Sequence, residues 1–223
     1  MENIKYVNVI GAGLAGCECA WILAKNGIKV KLYEMKPIKK TEAHKSDNFA
    51  ELVCSNSLKS DEITNACGLL KKEMQMLGSI FVEAAHKTRV EAGQALAVDR
   101  EKFAEYITDK IKNDNNIEII YEEVDDVEKL EGITVIATGP LTSKPLLENI
   151  SKLVGEEKLY FYDAEAPIVS ADSIDMNIAY RMNRYGKIGE GDYLNLPMTK
   201  DEYFSFYNAL ITAEEAPRHD FDK

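Results

Sequence analysis

No apolar run in this 223-residue chain reaches the ~20 residues a helix needs to cross a bilayer, so no membrane-spanning segment is expected. Histidine is scarce, with three in the whole chain, and the four cysteines never form a C-x-x-C pair. Cys17 and Cys19 stand two apart on an expected helix and point to different sides. No histidine pair completes a ligand set, so no metal site is expected. Positive charge is also short: 27 Lys and Arg face 38 Asp and Glu, a formal net charge of -11. That balance opposes broad, nonspecific attraction to nucleic acid. Two local basic stretches remain, Lys36, Lys39, Lys40, His44 and Lys45, then Arg181, Arg184 and Lys187, and both read as solvated surface. The opening residues lead straight into an apolar strand rather than a secretory leader, which suggests a cytoplasmic protein with reduced thiols.

What is present is concentrated at the start. The apolar run Val7-Asn8-Val9-Ile10 passes directly into Gly11-Ala12-Gly13-Leu14-Ala15-Gly16, a G-x-G-x-x-G pattern. Gly11 permits the turn out of the strand, Gly13 lets a pyrophosphate approach the backbone, and Gly16 lets the helix pack close to the sheet. The helix N-terminus offers N–H groups and partial positive charge to phosphates. A second strand, Lys29 to Glu34, ends in an acid eighteen residues past Gly16, placed to accept hydrogen bonds from a ribose hydroxyl. Strand, glycines, helix, strand and acid in this order predict a βαβ dinucleotide site.

The remaining chain reads as an α/β fold. The first helix spans Leu14 to Asn26 and stops at Gly27. Residues Met35 to Ser60 read as a long polar loop, of the kind that is usually functional or disordered. Asn65 to about His86 reads as helix with a possible break at Gly78, its apolar face being Leu69, Leu70, Met74, Leu77, Phe81 and Ala85, with the methionines as core filler. Asp99 is a good N-cap for a helix carrying Phe103, Ile107 and Ile111. Strands are expected at Ile117 to Tyr121, near Val124, at Thr134 to Ala137 and at Leu159 to Tyr162, with a helix from Leu146 to Val154. The strand before Thr138-Gly139-Pro140 ends in small residues where a backbone returns beside a cofactor. Together with the opening motif it favours FAD over NAD as the principal cofactor. The glycine-bearing segment Arg184 to Asp192 marks a domain boundary, giving 1–186 and 187–223. Thr199-Lys200-Asp201-Glu202 then forms a capping box for a helix to about Ala216, whose apolar residues Phe204, Leu210 and Ile211 have no partner in the chain.

Within the polar loop, Phe49-Ala50-Glu51-Leu52-Val53-Cys54-Ser55-Asn56-Ser57-Leu58 sets a cysteine among small hydrogen-bonding residues. Cys54 is either a structural thiol or a thiolate held near a ligand. Loops after the first strands of a doubly wound sheet stand over its ligand-binding edge, which leaves both readings open.

The run Gly11 to Gly16, Ala20-Trp21, Leu32-Tyr33-Glu34-Met35-Lys36-Pro37, Asp47 to Leu58, Ala95 to Arg100, Ile136 to Ser143, Tyr160 to Ala164 and Asp192 to Asn195 together resemble the folate- and FAD-dependent tRNA (uracil-5-)-methyltransferase family, TrmFO. The segment around Cys54 is the most specific part, and the likeness extends over essentially the whole chain. It implies a Rossmann-like FAD-binding domain of the GidA-related flavoprotein type over 1–186, lacking its C-terminal segment, with the start of an inserted α+β domain at 187–223. It also implies C5-methylation of the tRNA T-loop uridine to ribothymidine, with carbon from methylenetetrahydrofolate and reduced FAD recharged by NAD(P)H. The family uses two cysteines. Cys54 matches the N-terminal one and is assigned to general-base or thiol catalysis rather than sole nucleophile, while the second belongs to a segment beyond Lys223. FAD contacts carry over to Gly11, Ala12, Gly13, Leu14, Ala15 and Gly16, with Glu34, Thr138 and Gly139 added by the motif arguments. Glu91 and Gln94 depart from the proline and glycine expected there, and Leu196 stands where cysteine is common. Two other readings are a related flavoprotein that modifies the tRNA wobble uridine and a non-catalytic dinucleotide-binding remnant. A flavin disulfide reductase is disfavoured by the lack of a C-x-x-x-x-C pair.

Overall fold

The structure, a computed structural model, describes residues 5–41, 43–155, 169–183 and 189–214. The chain divides into two compact units, Met1–Pro167 and Ile168–Lys223. The boundary expected at 186/187, the strand expected at Leu159 to Tyr162, and Arg184 and Lys187 of the second basic stretch lie outside the described residues.

The first unit is built on a four-stranded parallel sheet. Its strands are β1 (Val7–Ile10), β2 (Val30–Glu34), β6 (Ile117–Tyr121) and β7 (Ile133–Ile136), in the order β6-β2-β1-β7. The order reverses at β1, whose neighbours are β2 on one side and β7 on the other. The crevice at the carboxyl ends of β1 and β7 is therefore the switch point where such sheets bind ligands. One sheet face packs against α1 (Leu14–Lys25) and α4 (Arg100–Lys112), with α3 (Ile80–Lys87) against those two helices, around Val9, Leu32, Phe103, Ile107 and Ile111. The other face buries Ile10 and Tyr33 beside Leu146 of α5 (Lys144–Val154).

Several elements follow from local chemistry. Asp99 caps α4 by accepting the Lys102 N–H at 3.2 Å, and Phe103, Ile107 and Ile111 recur every four residues on its buried face. Gly27 follows α1 at φ +77.

Three expectations are corrected. The end of the supposed long loop is a strand, β3 (Ser57–Ser60), pairing antiparallel with β5 (Ala95–Val98), which in turn pairs with β4 (Arg89–Val90). Its partner lies about forty residues away along the chain, so no local pattern announces it. The helical stretch from Asn65 to His86 does break at Gly78, as expected, giving α2 (Ala66–Met76) and α3 with Gly78 between them at φ +80. The apolar face assigned to α2 is not its buried face: Leu69, Leu70 and Leu77 are exposed, as is Met76, which fills no core, while Met74 is half-buried. Gly68 and Lys71 face inward instead, and the Lys71 ammonium donates to the carbonyls of Leu58 and Cys67. Finally, Val124 is buried but lies outside any strand.

In the second unit, β8 (Tyr180–Arg181) and β9 (Leu194–Asn195) pair antiparallel, and α6 (Lys200–Ile211) follows. Its capping box is complete: the Thr199 hydroxyl accepts the Glu202 N–H and the Glu202 carboxylate accepts the Thr199 N–H at 2.7 Å. The helix ends at Ile211, before the expected Ala216.

Candidate functional site

A cleft of about 310 Å³ opens at the carboxyl ends of the parallel strands. Six segments line it: the turn from β1 into α1, the end of β2, part of the loop that follows, residues 122–124 after β6, residues 137–141 with Ser143 after β7, and Leu146 of α5. Gly11, Ala12, Gly13, Leu14, Ala15, Glu34, Thr138 and Gly139, all expected at a cofactor site, share this one lining.

The three motif glycines have different physical reasons. Gly11 adopts φ +93, and a Cβ there would stand 3.0 Å from the Ala137 carbonyl oxygen, so the position serves both the turn and the approach of β7. A Cβ at Gly16 would stand 1.8 Å from the Gly11 carbonyl oxygen, so Gly16 sets how closely α1 packs on β1 and is not itself in the cleft lining. At Gly13 a Cβ would meet no atom within 4 Å and would project into open space. Gly13 is also the N-cap of α1 and provides no side-chain cap, leaving the first-turn N–H groups to whatever enters the cleft.

Glu34 ties the site together. It is 7% exposed; its Oε2 accepts the Ala12 N–H at 2.8 Å and its Oε1 accepts the Lys36 N–H at 2.9 Å. The acid at the end of β2 is thereby fixed to the glycine turn. Opposite it, the Thr142 hydroxyl donates to the Gly139 carbonyl at 2.7 Å and lies 2.6 Å from the Thr138 hydroxyl, holding the turn after β7.

The loop after β2 holds residues that sequence reasoning missed. Lys36, assigned to solvated surface, is buried. Its ammonium donates to the Asn48 carbonyl at 2.5 Å and lies 3.6 Å from Glu51 Oε2. Lys36, His44 and Glu51 all line the cleft. Thr41 Oγ1 lies 2.7 Å from His44 Nδ1, and burial followed by the neighbouring Lys36 ammonium pushes the His44 pKa below its ordinary value. The available signal was the position of Lys36, two residues after Glu34, where the chain turns back over the strand ends.

Cys54 is exposed, and it does not line the cleft, although Val53 beside it does. Its carbonyl accepts a hydrogen bond from the Arg100 guanidinium at 2.6 Å. Cys17, by contrast, is fully buried; its thiol donates to the Ala12 carbonyl, and desolvation drives its pKa far upward, which marks it as structural. Among the described residues no group of three or more His, Cys, Asp and Glu side chains could hold a metal ion, and no helix is long and apolar enough to cross a membrane.

Comparison with known proteins adds a family. The family described as glucose inhibited division protein A matches residues 6–223. A methylenetetrahydrofolate–tRNA-(uracil-5-)-methyltransferase TrmFO from Fusobacterium nucleatum subsp. nucleatum is 59% identical over 219 residues, 98% of this chain and 50% of that protein. The protein of the same name from Ligilactobacillus salivarius is 57% identical over 97% of this chain and 49% of its own length. The one from Acetivibrio thermocellus is 57% identical over 99% and 50%. The chain therefore spans about half the length of the curated relatives it matches.

Proposed function

The chain belongs to the glucose inhibited division protein A family, and from that premise we propose that it forms the N-terminal, FAD-binding half of a methylenetetrahydrofolate-dependent tRNA (uracil-5-)-methyltransferase. One observation carries the reading: an open glycine turn and a fixed acid line one cleft at the switch point, in a chain 57–59% identical to relatives that carry that name.

The cleft suits a flavin dinucleotide. The space beyond Gly13 and the uncapped N–H groups of α1 fit a pyrophosphate. Glu34, oriented by two backbone N–H groups, has lone pairs left for ribose hydroxyls. Thr138 and Gly139 border the same space. Bound FAD would supply reducing equivalents. The co-substrates on this reading are methylenetetrahydrofolate and NAD(P)H, the partner is the tRNA T-loop, and the setting is cytoplasmic. The division into 1–186 and 187–223 belongs to the same proposal.

Uracil C5 is a poor nucleophile until a thiolate adds to C6, and its proton must then be removed. Cys54 is the thiol of this chain proposed for that work, as base or thiol catalyst, with a second cysteine from the remainder of the full-length protein. Its exposure supports access to a large substrate such as RNA. Its position outside the cleft lining also supports a narrower second reading, in which these residues alone bind the dinucleotide and perform no chemistry.

The test uses the full-length protein. Gly13→Val puts a branched side chain where the phosphates would sit, and the variant should purify colourless; a full flavin spectrum would remove the cleft from the proposal. Cys54→Ala should retain flavin and fold while losing transfer of the methylene carbon to T-loop RNA. Ribothymidine formation near the parent level would remove Cys54 from the proposed chemistry.

A further inference from the structure

The one buried ammonium in the described cleft lining has no part in the account above. Lys36 touches three residues. Its backbone N–H donates to Glu34 Oε1, its ammonium donates to the Asn48 carbonyl, and the same ammonium pairs with Glu51. Burying a charge in this way is unfavourable unless the partner geometry is tightly held.

The connections continue from Glu51. Its Oε1 accepts the N–H groups of Lys45 and Ser46 at 3.0 and 3.1 Å, closing the loop on itself. Between these points Phe49 and Ala50 are fully buried, and the Ala50 N–H donates to the Ala12 carbonyl at 2.9 Å. Ala50 sits at φ +50, a left-handed conformation held by its surroundings. Ala12 is the residue whose N–H binds Glu34. The acid, the glycine turn and the loop thus form a closed ring of contacts: Glu34 to Ala12, Ala12 to Ala50, Glu51 to Lys36 and Lys36 back to Glu34. Three residues beyond Glu51 is Cys54. The far side of that segment is held separately, by the Arg100 guanidinium on the Cys54 carbonyl and by Asn56, which exchanges hydrogen bonds with Val98.

We infer that Lys36 is a positioning residue: its ion pair with Glu51 couples occupancy of the nucleotide cleft at Glu34 and Ala12 to the placement of the strap that carries Cys54. A nucleotide that engages Glu34 and the glycine turn steadies two members of the ring, and the ion pair passes that constraint to residues 48–54. This rests on the cleft being a nucleotide site but not on any assigned reaction step.

The experiment reads Cys54 without enzyme turnover. The 223-residue chain is treated with iodoacetamide, with and without saturating ADP, and alkylation of the Cys54 peptide is timed by mass spectrometry, with ADP binding measured in parallel by calorimetry. In the parent, bound ADP should slow Cys54 alkylation by about threefold or more, because a steadied strap holds the exposed thiol in fewer of the orientations that the reagent can attack. Lys36→Met alone would strand the Glu51 carboxylate, so the deciding variant is Lys36→Met with Glu51→Gln, which removes both charges. It should bind ADP yet show no ADP effect on Cys54, whereas Lys36→Arg should restore the protection. Parent-like protection in the double variant overturns the inference, as does an unchanged Cys54 rate in the ADP-bound parent. Loss of ADP binding in the double variant would make the pair part of the nucleotide site and overturn the coupling. Failure of the parent to bind ADP would overturn the reading of the cleft itself, and the inference with it.

Discussion

Helices α4 and α6 begin alike and end in different situations. Each starts from a side-chain cap, Asp99 in one and Thr199 in the other, and each carries aromatic and branched apolar residues along a dozen positions. In α4, Phe103, Ile107 and Ile111 are buried against the sheet. In α6, Phe204, Phe206, Leu210 and Ile211 are all exposed, and no described residue of the helix is buried. Capping and propensity therefore decide that a helix forms, while a facing surface decides whether its apolar side does any stabilising. Exposed apolar area of this extent marks a surface that associates.

The largest expected contrast is between two phenylalanines. Phe103→Ala should destabilise the chain by about 3–5 kcal/mol in urea unfolding, since it removes a fully buried ring that also meets Phe81 edge-on. Phe204→Ala should change stability by no more than about 0.5 kcal/mol. A comparable loss in both variants would show that α6 is packed in solution and break the comparison.

Association should follow the same division. The 223-residue chain is expected to elute as aggregate or oligomer by size exclusion, and Phe204→Lys with Leu210→Lys should move it toward monomer. A parent chain already monomeric would remove the exposed face of α6 as the cause.

The caps sharpen the contrast at smaller scale. Asp99→Ala and Thr199→Ala each remove a cap worth about 1 kcal/mol. The first should lower global stability, because α4 supports the core. The second should fray α6 alone, visible as faster amide exchange over 200–205 with an unchanged urea midpoint.

The smallest effect is a pH dependence confined to α6. The Thr199 N–H and then its hydroxyl hold the exposed Glu202 carboxyl below its ordinary value. A depressed carboxylate stabilises above its unfolded pKa, and that contribution fades as pH falls through the folded value. Amide protection at the start of α6 should therefore decline as pH falls through and below the ordinary carboxylate range, while Glu202→Gln should flatten the decline. A slope unchanged by that substitution would assign the titration elsewhere.

Much of the candidate site was legible because its signals are local. Gly11, Gly13 and Gly16 stand at fixed offsets after an apolar strand, and Glu34 ends the next one, so turn, helix start and acid could be placed without knowing any distant contact. The cap of α4 and the capping box of α6 were legible for the same reason. Lys36 was misread because composition cannot tell a surface lysine from one whose ammonium is enclosed by Asn48 and Glu51. The β3–β5 pairing was missed because its hydrogen bonds join residues far apart in sequence. On α2 the periodic leucines pointed to one face while Gly68 and Lys71 turned inward, since Gly68 packs against the Glu62 backbone where no side chain fits.

By itself, then, the sequence determined the conformations that depend on neighbours a few residues away: where φ must be positive, which side chain caps a helix, and where an acid follows a glycine turn. Only the tertiary structure decided which apolar faces are covered, that Cys54 stands beside the cleft lining rather than in it, and that a buried lysine joins the acid of β2 to the cysteine loop. The physical reason is range. Backbone sterics and capping act within a turn, whereas burial and ion pairing depend on what the rest of the chain brings alongside.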